Sequence, residues 1–205
     1  MWIELQDIHK HYGPVKANNG VNLKVAPGRI HGILGENGAG KSTMMKVLAG
    51  FSRKTSGSIL IDGKPVNYRN PAQAVALGIG MLYQDPLDFS LLSVLDNFML
   101  GQKNGFFEHK NKFRKAFHQL AESFNFVLHP DTPIKILTIG ERQQLELLRL
   151  LALGIQVLIL DEPTTGISAT QKDILFKSLK KLTTEGKSVV LVSHKLEDVE
   201  ALCDE

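Results

Sequence analysis

The residues Gly35, Glu36, Asn37, Gly38, Ala39, Gly40, Lys41 and Ser42 fit the pattern G-x-x-x-x-G-K-[ST]. Glycines at this spacing let successive backbone N–H groups turn inward around phosphate oxygens. Lys41 then reaches the β- and γ-phosphates, and the Ser42 hydroxyl is suited to ligate Mg²⁺. Two neighbouring acids, Asp161 and Glu162, follow the apolar run 157–160. Neighbours on an extended chain point differently, so Asp161 suits the metal and Glu162 the polarising of an attacking water. Acids after a strand also cap the next helix, and it is the phosphate loop that favours the catalytic reading. His194 and Gln84 each end a further apolar run. A histidine there serves equally as a satisfied core or capping residue, and a glutamine in isolation says little. Thr138, Ile139, Gly140 and Glu141 form a Thr-x-x-Glu capping box, while a bared helix start beside glycine is also an anion site.

The elements that must hold these residues follow from hydrophobic period. Residues 3–8 and 21–25 alternate apolar with polar as half-buried strands do, with Asn18-Asn19-Gly20 supplying turn chemistry between them. An apolar strand from Arg29 to Leu34 leads into the glycine loop. Met44, Met45, Val47 and Leu48 then recur at helical spacing, and Gly50 is placed to stop that helix. Residues 58–61 and 79–83 read as short strands, the first closed by Asp62-Gly63. From about 86 to 153 the pattern turns helical, with Phe113, Ala116, Phe117, Leu120 and Phe124 on one face. Lys110, Lys112, Arg114 and Lys115 project elsewhere as a solvated face. Residues 157–160 and 188–192 are continuous apolar runs, as strands buried on both faces should be. Strands alternating with helices predict an α/β fold with a mostly parallel core sheet, an N-terminal antiparallel β subdomain and an inserted α-helical subdomain. The expected core is 1–85 and 154–205, and the helical subdomain about 86–153.

Composition excludes other classes. The 205 residues are 43% hydrophobic and 22% charged, which suits one globular domain rather than a disordered chain. The uncharged stretch 150–160 is well short of the ~18 apolar residues that a membrane helix needs. Glu4 stands where a secretory leader needs basic residues, and the single cysteine, Cys203, allows no internal disulfide, which suits a reducing compartment. A net charge of +3 from 24 basic and 21 acidic side chains is too balanced to argue for nucleic acid.

The ordered set of segments at 35–43, Gln84, 137–141, 160–164 and His194 resembles the ATP-binding cassette of ABC transporters, a P-loop NTPase fold, over essentially the whole chain. The resemblance implies a dimer holding two ATP molecules with Mg²⁺ between two cassettes. It adds Thr43 to the phosphate loop and sets Tyr12 against the adenine face. It places Gln84 near Mg²⁺ and the membrane subunit, Glu162 as general base and His194 on the γ-phosphate. Thr138 and Gly140 would contact the γ-phosphate held by the opposite cassette.

Departures from the family pattern narrow the reading. Thr138 keeps the hydroxyl of the usual Leu-Ser-Gly-Gly-Gln signature, Ile139 replaces a glycine, and Glu141 replaces the glutamine. A carboxylate near a triphosphate repels it unless it turns back into its capping box. After Thr164 the usual Ser-Ala-Leu-Asp is replaced by Thr165-Gly166-Ile167-Ser168. Residues 137–146, with His129-Pro130-Asp131 upstream, resemble the importers of nucleosides and simple sugars. That implies the first cassette of a tandem protein, continuing beyond residue 205, at the cytoplasmic face of the membrane. Its expected partners are a second cassette, transmembrane permease subunits and, indirectly, a solute-binding protein, with no nucleic acid. The alternatives are a non-transport cassette ATPase acting on ribosomes or DNA, or a regulatory nucleotide-binding cassette with weak catalysis.

Overall fold

The computed structural model describes residues 1–83, 86–102 and 110–205. Within them the chain divides into two compact units, residues 1–81, 155–163 and 179–205 in the first, and 82–154 and 164–178 in the second.

The first unit contains an antiparallel sheet. β1 (Ile3–Tyr12) pairs with β2 (Val15–Val25) on one side and with β4 (Ser56–Ile61) on the other, and β5 (Lys64–Val66) completes the order β2-β1-β4-β5. Ile3, Leu5 and Ile8 are buried, so the apolar positions face the core. The expected turn at Asn18-Asn19-Gly20 is corrected: these residues lie inside β2, and the chain reverses at Gly13-Pro14, with Tyr12 opposite Val15. The ladder shifts register between the Ile8 and Lys10 pairs, where Gly20 has φ +71°. A bulge and a turn both call for a glycine at positive φ, which is why the tripeptide fits either.

The core sheet has the order β3-β8-β7-β6, formed by β3 (Ile30–Leu34), β6 (Ile79–Leu82), β7 (Val157–Asp161) and β8 (Ser188–Ser193). β8 runs parallel to both β3 and β7. Val157 to Leu160 and Val189 to Val192 are fully enclosed, which accounts for their unbroken apolar sequence. α1 (Lys41–Leu48) buries Met44, Met45, Val47 and Leu48, and Gly50 follows it at φ +79°. α7 (Leu196–Leu202) packs on β3 and β8. Gly32 permits this approach, since a Cβ there would stand 2.7 Å from Val199 and 3.0 Å from the Cys203 sulfur. Beyond α7, the Asp204 N–H donates to the Ile30 carbonyl and the Gly32 N–H to that of Glu205, both at 2.8 Å, along the edge of β3. α2 (Pro71–Ala76) starts from an Asn70 cap whose side chain accepts from the Gln73 N–H.

The second unit is helical: α3 (Val94–Met99), α4 (Lys110–Ser123), a short 3₁₀ turn (Ile134–Ile136), α5 (Ile139–Ala152) and the first part of α6 (Ala169–Thr184). Phe98 and Phe117 meet edge to face at 5.4 Å across α3 and α4. The buried Asn97 accepts from the Phe89 N–H and donates to the Phe89 and Ser93 carbonyls, tying the entering loop to α3. The cations of α4 lie on a solvated face as expected, with Lys110, Lys112 and Lys115 exposed, and two of them find acids there. Arg114 forks onto Asp131 at 2.6 and 2.8 Å, and Lys110 meets Asp96 at 2.7 Å. The hydrogen bonds from Arg114 hold the Asp131 carboxyl below its ordinary range. Among the described residues no helix is long and apolar enough to cross a membrane.

Candidate functional site

The phosphate loop leaves β3 and ends as α1. Gly38 and Gly40 take φ +85° and +88°, the left-handed backbone that lets the loop curl. Gly40 caps α1 with no side chain and no acid in the first turn, so the helix presents free N–H groups and its positive end. The Lys41 ammonium donates to the Gly35 carbonyl at 2.6 Å and the Glu36 carbonyl at 2.9 Å, which directs it along the loop. Glu36, Asn37, Gly38 and Ala39 are exposed, and Gly35, Gly40, Ser42 and Thr43 half-buried. Positive charge, bare N–H groups and an exposed curl fit the phosphates of a nucleotide.

Asn18 supports this loop, and no sequence motif pointed to it. Its buried side chain donates to the Gly40 carbonyl at 3.1 Å. A Cβ on Gly40 would come within 2.2 Å of the Ala17 carbonyl, so β2 forms a wall against the loop. A polar residue at an inward position of β2 was the available signal, obscured by the turn-like Asn-Asn-Gly.

Ser42 and Asp161 converge: the serine hydroxyl donates to Asp161 Oδ1 at 3.0 Å across 119 positions of sequence. A hydroxyl and a carboxylate side by side are hard oxygen donors of the kind Mg²⁺ takes, together with substrate phosphates and water. Among the described residues there is no cluster of three or more acidic, histidine or cysteine ligands. The donor set therefore fits an ion shared with a phosphate better than one caged by protein.

Glu162 follows Asp161 at φ +52°, and its N–H donates to the Val192 carbonyl at 3.0 Å. The left-handed backbone at Glu162 follows directly on Asp161, and the two carboxylates meet different partners, Ser42 for Asp161 and His194 for Glu162. Glu162 Oε2 lies 2.7 Å from His194 Nδ1. That approach is close, but no donor is aligned on the buried oxygen. His194 itself is 46% exposed, so the imidazole reaches toward solvent rather than closing a core.

Tyr12 ends β1, half exposed, with the Lys10 ammonium 4.5 Å from its ring centroid and its hydroxyl 3.3 Å from Ser52 Oγ. The hydroxyl is thus held at the rim by Ser52, while the Lys10 ammonium sits over a face of the ring. Gln84 lies outside the described residues.

In the second unit, Thr138 caps α5 and the expected box with Glu141 is formed. The Thr138 N–H donates to Glu141 Oε2 at 2.7 Å and the Glu141 N–H to Thr138 Oγ1 at 3.3 Å. Glu141 is thereby turned back onto its own helix. Ile139 is 45% exposed, and Gly140 is buried against Gln171.

A parallel sheet that feeds a glycine loop into a helix, with a carboxylate meeting the loop serine, defines a P-loop NTPase cassette. The chain belongs to the ABC transporter family, whose model, described as ABC transporter, matches residues 18–165. It is 36% identical to the galactose/methyl galactoside import ATP-binding protein of Fusobacterium nucleatum, over 99% of this chain and 41% of that one. It is likewise 36% identical to the nucleoside import ATP-binding protein of Lactococcus lactis, over 98% and 40%. The ribose import ATP-binding protein of Escherichia coli O157:H7 is 39% identical, over 98% and 40%. The chain thus spans about two fifths of the length of these relatives. A crystal structure of a nucleotide-free ATP-binding cassette from an ABC transporter superposes with TM-score 0.87 at 25% identity, covering 100% of this chain and 86% of that one. An ADP conformation of such a cassette gives 0.86 at 26%, covering 100% and 85%.

Proposed function

We propose that the chain is the ATP-binding and ATP-hydrolysing cassette of an importer for a nucleoside-like or simple-sugar-like solute. The observation that carries the reading is the meeting of the loop serine Ser42 with Asp161, one residue from a Glu162 oxygen that faces His194. The relatives, which include galactose, ribose and nucleoside import ATP-binding proteins, support the solute class.

In this reading residues 35–43 wrap the phosphates, with Lys41 on the β- and γ-oxygens. Tyr12 stacks on the adenine. Ser42 and Asp161, with Gln84 as the third assigned residue, would hold Mg²⁺, which would supply neutralising charge for the transferring phosphate. Glu162 takes a proton from the attacking water, and His194 steadies that carboxylate beside the γ-phosphate. Thr138, Ile139, Gly140 and Glu141 face the nucleotide of an opposite cassette. The positive end of α5 would face it, and the Glu141 charge is withdrawn into the capping box with the Thr138 and Glu141 N–H groups. Domain bounds of 1–85 with 154–205 for the core and about 86–153 for the helical part accompany this assignment.

Closure of two cassettes on ATP would move permease helices through the helical part near Gln84, at the cytoplasmic face of the membrane. A solute-binding protein acts on the far side, and no nucleic acid takes part. In this reading the second cassette is a homologous domain, in the same chain or another.

The test is Glu162→Gln in the assembly with its membrane subunits. ATP binding is expected to survive while turnover falls by about 10²-fold or more. Equal hydrolysis by variant and parent overturns the reading of the base. Co-purification with ribosomes in place of membrane subunits overturns the importer.

A further inference from the structure

Gln171 lies outside every segment assigned above, yet its side chain touches two helix starts at once. It is the third residue of α6. The Ser168 N–H donates to Gln171 Oε1 and the Gln171 N–H donates to Ser168 Oγ, both at 3.3 Å, which is the capping box of α6. The other end of the amide, Nε2, donates to Thr138 Oγ1 at 2.8 Å, thirty-three positions earlier in the chain. Gly140 makes the room, since a Cβ there would stand 2.5–2.8 Å from three atoms of the Gln171 amide.

The amide orientation is determined by its partners. Ser168 presents an N–H and needs an acceptor. Thr138 Oγ1 already spends its hydrogen on Glu141 Oε2 at 2.8 Å and therefore needs a donor. Only Oε1 toward Ser168 and Nε2 toward Thr138 satisfies both.

The hydroxyl of Thr138 is then fully committed. A threonine oxygen has one hydrogen and two lone pairs. The hydrogen goes to Glu141 Oε2, and the lone pairs receive the Glu141 N–H and the Gln171 amide. To reach a phosphate oxygen the hydrogen must swing away from Glu141. The two contacts that donate to the oxygen can persist through that swing, one from the helix backbone and one from Gln171.

We infer that Gln171 is a positioning residue, which holds the Thr138 oxygen in place for the γ-phosphate of the opposite cassette and ties it to the segment 165–168 at the start of α6. This rests on the function proposed above. The usual aspartate of that segment is absent here, with Ser168 in its place. The Gln171 side chain joins Ser168 to Thr138 at the start of α5.

The discriminating variant is Gln171→Glu. A glutamate completes the Ser168 box as well as a glutamine does, but its carboxylate has no hydrogen for Thr138. In the full assembly at saturating Mg·ATP, kcat is expected to fall about tenfold, the worth of one well-placed hydrogen bond, with KM for ATP unchanged and the fold retained at a lowered melting temperature, because the new carboxylate also stands beside Glu141. Full kcat in this variant overturns the inference, because a mere helix cap would tolerate the change. Thr138→Val separates positioning from charge: on that background Gln171→Glu is expected to have no further effect, and a persistent tenfold fall overturns the role. Gln171→Leu, which removes the bridge without adding charge, is expected to lower kcat by the same factor, and full kcat there counts against the inference. Glu162→Gln assayed alongside keeps the two levels apart. Its retained turnover would count against the functional reading, whereas an inactive Glu162→Gln beside a fully active Gln171→Glu would sink the inference alone.

Discussion

Glu162 Oε2 and His194 Nδ1 stand 2.7 Å apart just beyond the ends of the adjacent parallel strands β7 and β8. The relationship depends on backbone as much as on side chains. The positive φ of Glu162 and its N–H bond to Val192 bring the carboxylate across to the neighbouring strand. His194→Ala is therefore expected to leave nucleotide affinity in place and to lower turnover at least tenfold, since the carboxylate loses the imidazole 2.7 Å from it. Nucleotide titration beside steady-state hydrolysis checks this, and a drop in affinity equal to the drop in rate would refute it.

Gly40 and Gly35 should respond differently to the same added methyl. At Gly40 a Cβ meets the Ala17 carbonyl at 2.2 Å and the residue sits at φ +88°, so neither neighbour nor backbone can yield. Gly40→Ala should cost more than about 2 kcal/mol and abolish nucleotide binding. At Gly35 the nearest atom is 3.6 Å away and φ is not in the left-handed region, so Gly35→Ala should stay within about 1 kcal/mol. Chemical denaturation of the two variants gives the comparison.

Asn18 offers a test of loop support from outside the motif. Asn18→Ala removes one hydrogen bond to Gly40 and should cost about 1 kcal/mol. Asn18→Asp keeps the shape but turns a donor into a buried acceptor against the same carbonyl, and should cost about 2–3 kcal/mol with weaker nucleotide binding. If the two variants melt together, the amide is not supporting the loop.

Glu146 gives the second unit a pH dependence. Burial pushes its carboxyl above the ordinary 4.5, against the pull of Arg149 at 2.7 Å and the Leu87 N–H at 3.0 Å. The folded state therefore holds a proton that the unfolded chain gives up, and stability falls as pH rises from 4.5 through the raised folded value. Glu146→Gln lacks this step. The melting temperature of the parent should drop relative to the variant across that interval, and parallel curves would contradict the assignment.

The phosphate loop was legible because its chemistry lies in contiguous residues whose backbone does the binding. The capping box of Thr138 and Glu141 was legible for the same reason, since N-cap and N3 are three residues apart by definition. β7 and β8 were readable from unbroken apolar runs, which only full enclosure tolerates. Misreading began where one local signal serves two geometries. Asn18-Asn19-Gly20 suits a turn or a bulge, and the choice was made by pairing with β1. The α4 cations are solvated as their pattern indicates, but their pairing with Asp96 and Asp131 joins residues apart in the chain and was not legible in it.

By itself the sequence determined the order of phosphate loop, signature and strand-end acids, because each is a local pattern of glycines, hydroxyls and charges. Tertiary structure alone decided which of them touch. Ser42 reaches Asp161, Glu162 reaches His194, Asn18 reaches Gly40 and Gln171 reaches Thr138. These contacts join residues far apart in the chain, and their hydrogen-bond geometry depends on strand register and helix approach. Neither is encoded in any single stretch of residues.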